Sequence, residues 1–350
     1  MDVDGVYAHV QSIFRSGLVT VIGSGSSAAL GLPGMRELAE HLIANVPTSA
    51  TTLGPESAQA WTTIEGRLMD GLDLEKAMTG VLLPRRLSDL IAQEVALCLD
   101  ETEQQVLSKI ITDADECALG RLLEYIIRTN PIADVITTNY DRVIEAAAVR
   151  SNIRVDTMFY GHLVGKLDSR LSREELSKPM IKTSARTTIR IPIRDHVRLS
   201  KPHGSLDWYE VNGEPVRSQF PLPGVRRIVV PGDTKLRAGY DVPFDAHRER
   251  GTKAIDRASA FLAIGFGFND EHLQTHLLPR FPSVPSLVLA RTLTESAREY
   301  VLGSDGRSVG LEASRVSTGG THVVSTADDF EVPGVDLWDL RILTAEVLAL

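Results

Sequence analysis

Leu18-Val19-Thr20-Val21-Ile22-Gly23-Ser24-Gly25-Ser26-Ser27-Ala28 is the stretch on which the fold turns. Its first five residues are apolar and mostly β-branched, with Gly17 and Gly23 as brackets. That is the pattern of a short parallel strand buried on both faces. The next six fit G-x-G-x-x-G/A, placed after a strand and opening a helix. Glycines there let the backbone turn tightly and approach a pyrophosphate, which free N–H groups at a helix start can receive. A tight strand-to-helix turn without a ligand has the same pattern. Met35, Leu38, Ala39, Leu42 and Ile43 then recur on one helical face, so the chain opens as strand, glycine turn and helix. A dehydrogenase would place an acidic residue about 20 positions on, at the end of a second strand. Here Glu37 to Pro47 still reads as helix, which disfavours an ordinary dehydrogenase.

Downstream, apolar residues keep helical spacing from about Pro47 to Arg128, as in Leu74, Ala77, Met78, Val81 and Leu82. A helical insertion over 47–128 is expected, broken at Gly54-Pro55 and Leu83-Pro84. The sheet resumes at Ala133–Thr138, and Asp141–Val149 reads as a helix. Residues 151–200 are expected to form a smaller insertion, with an edge strand at Thr188–Arg194. Ile228–Val230, Phe261–Ile264 and Ser286–Ala290 read as further buried strands, separated by helices. The expectation is an α/β fold: a Rossmann-like, doubly wound parallel sheet with a helical insertion, one domain over 1–350.

With 43% hydrophobic and 24% charged residues, disordered and fibrous classes drop out. The formal net charge of -9 argues against direct nucleic-acid binding, which needs a basic excess. Two cysteines, Cys98 and Cys117, make neither a four-cysteine zinc site nor a disulfide framework, so no metal is expected and a reducing cytoplasm fits. The acidic opening Met1-Asp2-Val3-Asp4, with no long apolar run after it, predicts neither a signal peptide nor a membrane span.

Beyond the glycine loop, three segments carry candidate chemistry. Thr137-Thr138-Asn139-Tyr140-Asp141 ends a strand, where open α/β sheets meet ligands. Asn139 there is either a turn residue or a group that holds ribose hydroxyls or a water; Asp141 is either a helix cap or a ligand residue. His203-Gly204 follows Lys201-Pro202. An imidazole with an ordinary pKa of about 6.5 suits proton transfer at neutral pH, though a lone histidine is more often only surface or core. Gly265-Phe266-Gly267-Phe268-Asn269-Asp270 follows a strand, and reads as a nucleotide loop or as a helix start capped by Asn269 or Asp270.

Taken in order, these four segments resemble the sirtuin-like family, and within it the zinc-free bacterial antiviral-defence branch. The likeness runs from about Leu18 to Leu278 across the insertion. The family's Gly-Ala-Gly-x-Ser loop is matched at Gly23, Gly25 and Ser27, and Arg36 is kept from its Gly-Ile-Pro-Asp-Phe-Arg, while Gly34 and Met35 replace the Asp and Phe. Thr137, Asn139 and Asp141 match Thr-Gln-Asn-x-Asp, with Thr138 in place of Gln, and His203-Gly204 matches His-Gly. Gly265-Phe266-Gly267 stands where deacylating members have Gly-Thr-Ser, which with the missing cysteines disfavours deacylation.

The resemblance implies a hydrolase that cleaves the nicotinamide–ribose bond of NAD, depletes NAD during infection and uses no metal. Asn139 and His203 would be the catalytic pair. Gly23, Ser24, Gly25, Ser26, Ser27, Arg36, Thr138, Asp141, Gly265, Gly267 and Asp270 would bind NAD. It also implies a homo-oligomer in the cytoplasm, working with a phage-sensing partner such as a HerA-type ATPase. Two alternatives remain at this point: a sensor that binds NAD or ADP-ribose without catalysis, and a zinc-free NAD-dependent deacylase or ADP-ribosyltransferase. The Asn139–His203 pair favours catalysis, since a sensor needs neither a base nor a placed water.

Overall fold

The computed structural model describes residues 2–113, 117–177, 193–230, 242–316, 318–327 and 329–348. The chain begins with α1 (Val3–Ile13), β1 (Leu18–Ile22) and the single turn α2 (Ser24–Ala28). Then come α3 (Met35–Thr52), α4 (Pro55–Met69), α5 (Leu74–Met78), α6 (Arg85–Thr112) and α7 (Ala118–Thr129). β2 (Ile132–Thr137), α8 (Val143–Arg150), β3 (Arg154–Asp156), β4 (Phe159–Tyr160), β5 (Val164–Leu167) and α9 (Ser169–Glu175) follow. β6 (His196–Ser200), β7 (Gly204–Val211), β8 (Glu214–Ser218) and β9 (Arg226–Ile228) precede α10 (Phe244–Arg257). The last part holds β10 (Ala260–Ile264), α11 (Glu271–Arg280), β11 (Ser286–Leu289), α12 (Glu295–Leu302), β12 (Ser308–Ala313), β13 (Gly320–Val324), β14 (Asp329–Pro333) and α13 (Leu340–Glu346).

The main sheet has nine strands in the order β14-β13-β12-β11-β10-β1-β2-β6-β3. From β12 to β3 every pairing is parallel; β13 and β14 add an antiparallel edge. Every residue of β1 is buried, as its unbroken apolar run predicts. Leu18 and Ile22 face one core with α1, α7, α8 and α13; Val19 and Val21 face the other with α10, α11 and α12. This is a Rossmann-type, doubly wound α/β fold. From β1 the chain builds outward through β2 on one side, then returns to build β10, β11 and β12 on the other. Ile22 registers with both Thr137 and Ile264, so β1, β2 and β10 end flush at this switch point. Ligands of open α/β sheets bind in such a crevice.

A second sheet, β4-β5-β8-β7-β9, is antiparallel throughout. The strand expected at Ile228–Val230 is displaced to β9, Arg226–Ile228, and it pairs with β7 rather than joining the doubly wound sheet. Within the 151–200 segment, β3 and β6 are strands of the main sheet, while β4 and β5 belong to the second. The segment's expected strand at 188–194 lies largely outside the described residues. The chain between β1 and β2 is helical, and α3 runs from Met35 through Pro47 to Thr52 without a break. Helices α3 to α6 have a core of their own, including Leu42, Trp61, Ile64, Leu87 and Ile91, which also buries Leu206 and Ile228 of the second sheet and Val230 just beyond it. Among the described residues no helix is long and apolar enough to cross a membrane.

Candidate active site

The glycine loop is shaped by its neighbour across the switch point. An added Cβ on Gly23 would lie 2.4 Å from the Gly265 carbonyl oxygen, and one on Gly265 would lie 2.4 Å from the Ser26 nitrogen. The two loops thus interlock backbone to backbone, with Gly23 N–H donating to Ile264 O and Gly25 N–H to Gly265 O. The helix after the loop is only the single turn α2; the longer α3 starts after a second turn at Gly31–Gly34.

Asn139 lies at the end of β2, buried against this loop. Its Nδ2 donates to Gly23 O at 3.0 Å and to Ser27 Oγ at 2.8 Å. Ser27 Oγ in turn donates to Asp141 Oδ2 at 2.7 Å. The three side chains form a one-way relay, amide to hydroxyl to carboxylate. Because the Gly23 carbonyl can only accept, it fixes which end of the Asn139 amide faces the loop. No described residue donates to Asn139 Oδ1. Thr137 sets the turn: its hydroxyl donates to Ile22 O at 2.8 Å and accepts from Asn139 N–H at 3.1 Å.

Asp141 plays both parts considered for it. Its Oδ1 accepts from Val143 N–H at the start of α8, and its Oδ2 holds Ser27. Burial pushes its carboxyl up, against the pull of Lys201, the Ser27 hydroxyl and the Val143 N–H. Beneath the turn, Lys201 is a buried cation. Its Nζ donates to Asp141 O at 2.5 Å, Ser205 Oγ at 3.0 Å and Glu145 Oε1 at 3.2 Å. Tyr140 OH donates to Val229 O at 2.7 Å, and burial also raises its phenol. The next residue, Arg142, grips Glu103 of α6, whose carboxylate is wholly buried.

His203 reaches the same place from the β6–β7 turn. Gly204 follows at φ +88°, and a Cβ there would lie 2.1 Å from Arg227 O, so the position requires glycine. The imidazole Nε2 lies 2.7 Å from Asp270 Oδ2. Asp270 also caps α11, its Oδ1 accepting from Leu273 N–H at 2.9 Å.

A cavity of about 210 Å³ joins these groups. Gly23, Ser24 and Ser27 line it, with Thr138, Asn139 and Asp141, His203, and Gly267 and Asp270. Gly25, Ser26 and Gly265 stand behind this lining and brace it; the Ser26 hydroxyl bonds back to Gly23 O at 2.7 Å. Arg36 is not brought in: its side chain is 81% exposed and pairs with Glu37 and Glu40. Sequence reasoning missed the wall supplied by the helices: Met35 and Leu38 of α3, Glu75 of α5 and Leu99 of α6. It also missed the contact of Asp270 with His203. Among the described residues no group of three or more His, Cys, Asp or Glu side chains is placed to hold a metal ion.

Residues 133–279 match the SIR2-like domain family. The matched segment contains Asn139, His203 and Asp270, and the glycine loop lies ahead of it. Solved structures similar to the chain include a Sir2 homologue in complex with NAD, at 14% identity and TM-score 0.44, covering 85% of this chain and 86% of that one. Others are a structure addressing the mechanism and regulation of Sir2 enzymes, at 13% identity and TM-score 0.42 over 85% and 88%, and a Sir2 homologue mutant with 2′-O-acetyl ADP-ribose, at 14% and 0.41 over 85% and 88%. No curated protein matches the chain.

Proposed function

We propose that the protein hydrolyses NAD at the nicotinamide–ribose bond, in the manner of an antiviral-defence effector that depletes NAD. The observation that carries this reading is the convergence of the Gly23–Ser27 loop, Asn139 and His203 on one cavity at the carboxyl ends of β1, β2 and β10. In this reaction the C1′–N bond breaks and its electron pair neutralises the pyridinium ring. The leaving group therefore needs no acid. The ribose passes through an oxocarbenium-like state, water adds at C1′, and its proton passes to a base. Asn139 has the geometry to orient the ribose or the water through Oδ1, since its nitrogen is committed to the loop. His203 takes the proton. Thr138, Asp141 and Gly267 wall the substrate space, and the polar chain through Ser27 holds Asn139 in place.

The cavity is smaller than the roughly 300–1,000 Å³ of most small-molecule sites. Part of its wall comes from α3, α5 and α6, so we place activation in a movement of these helices, driven by assembly into an oligomer or by a partner of the HerA-type ATPase class. Incubation of the purified protein with NAD, alone and with its assembled partner, followed by separation of products, tests the reading. Nicotinamide and ADP-ribose in equal amounts are expected. NAD left intact by the assembled complex refutes it.

A further inference from the structure

We propose that Asp270 is a positioning residue for His203, holding the imidazole as the Nε2–H tautomer so that Nδ1 is the nitrogen that takes the proton from water. The inference rests on the hydrolase reading above and assigns Asp270 to the base instead of to the nucleotide.

The geometry has three parts. First, the two ring nitrogens of His203 differ. Nε2 is shut away from solvent, and Asp270 Oδ2, 2.7 Å distant, is the charged group set against it. No described residue bonds to Nδ1, and His203 lines the cavity. The Nε2–Oδ2 approach is short but not aligned as a full hydrogen bond. Catalytic contacts are often of this kind before substrate binds, and tighten afterwards.

Second, the carboxylate cannot swing away. Oδ1 is tied to Leu273 N–H as the cap of α11, and the loop before it is pinned on both sides. Phe268 packs against Phe281 and Tyr300, Thr294 Oγ1 donates to Gly267 O at 2.7 Å, and Ser296 Oγ donates to Asn269 Oδ1 at 3.1 Å. Phe268 sits at φ +55°, a left-handed conformation unfavourable for a bulky residue. Packing maintains it two residues before Asp270, and such strain collects where a side chain must be aimed.

Third, the contact spans the sheet. His203 follows β6 and Asp270 follows β10, and β1 and β2 lie between those strands. The pair therefore closes over the ends of the strands that carry the glycine loop and Asn139. A carboxylate on Nε2–H selects the tautomer and balances the imidazolium that forms when Nδ1 gains a proton. The proton comes from the attacking water, whose oxygen bonds to C1′ as the C1′–N bond breaks.

The test is Asp270→Asn in the full chain. Asparagine caps a helix as well as aspartate does and keeps the volume, but carries no charge. Nitrogen NMR of the histidine rings should show His203 as Nε2–H in the wild type and a shift toward Nδ1–H in the variant, with no NAD present. NAD turnover should fall about a hundredfold in kcat, the range for impairing one acid–base group, with NAD affinity within about threefold of wild type. If the variant will not fold, Asp270→Ser, also a competent cap, replaces it. An unchanged tautomer, or normal kcat in the variant, overturns the proposal. So does a loss confined to NAD affinity, which would make Asp270 a substrate contact. Should the wild type itself leave NAD intact, the hydrolase reading falls, and the NMR result still decides whether Asp270 sets the tautomer.

Discussion

Replacing Ser27 by alanine probes the relay on which the site depends. The hydroxyl accepts from Asn139 Nδ2 at 2.8 Å and donates to Asp141 Oδ2 at 2.7 Å, and all three residues are buried. Its removal deletes one neutral bond and one bond to a carboxylate, together about 2–3 kcal/mol. Asp141 keeps only the Val143 N–H among its side-chain donors, while burial already disfavours its charge. For a chain of this length the melting entropy converts that loss to a drop of about 3–4 °C in Tm. Asn139 keeps Gly23 O but loses its second anchor, so turnover should fall on the order of tenfold as the Oδ1 position drifts. Ser24 lines the same cavity from an exposed position, and Ser24→Ala should stay within about 0.5 kcal/mol of wild type. Calorimetry and NAD turnover on both variants decide the matter. Should Ser27→Ala melt within 1 °C of wild type, at the ~1 °C level set by exposed controls, the relay contributes nothing and the account of how Asn139 is held is wrong.

Asn139→Ala should lower NAD turnover about a hundredfold, as expected for losing one preorganised polar group. It should also lower Tm by a few degrees, because its nitrogen braces the loop through two buried bonds; calorimetry and turnover measured together separate the two effects. His203→Ala should cut turnover by about a hundredfold or more while NAD still binds the cavity, a split that titration calorimetry beside the rate assay reads directly. Asp141→Asn should remove one component of the pH dependence of stability: relative to the variant, the wild type should lose stability as pH rises above about 4. Burial raises the Asp141 pKa on folding, so the wild type has its full stability in acid and loses some as pH rises through the folded pKa. Thermal melts across that range check the sign.

How much was legible differs from element to element, for physical reasons. β1 and β10 could be read because strands buried on both faces leave apolar runs, and β2 could be read from Val135-Ile136, although Ile132 is exposed and Asp134 interrupts the run. β7 could not: Gly204–Val211 contains Ser205 and Asp207, both buried. Ser205 is there to meet Lys201. Burial would raise the Asp207 carboxyl, but Arg217 and Lys201 outweigh it and hold the group below the usual range. Paired charges in a core erase the alternation that marks a half-buried strand. The hairpin signal was nonetheless present, as Asn212-Gly213 with both residues at positive φ. Arg36 shows the opposite failure. It kept its place in a motif, yet on α3 its side chain turns to solvent. The His203–Asp270 contact joins residues whose proximity follows from strand order, and no spacing in the sequence encodes that order.

The helical segment between β1 and β2 is joined to the site by more than proximity. Glu103 of α6 accepts from the Arg142 backbone N–H at 2.7 Å and from its guanidinium, one residue beyond Asp141. Asp100, one turn earlier on α6, pairs with Arg226 of β9. Leu99 and Glu75 face the cavity itself. A shift of α6 would therefore be felt at three places: the turn carrying Asn139 and Asp141, the second sheet behind His203, and the cavity wall. Glu103 is wholly buried, so α6 cannot slide without exposing or unpairing a charge, a change that costs several kcal/mol. Such a contact holds one arrangement until something larger displaces it. That favours discrete closed and open arrangements over a gradual range, and it is the physical ground for placing control of the proposed activity in these helices.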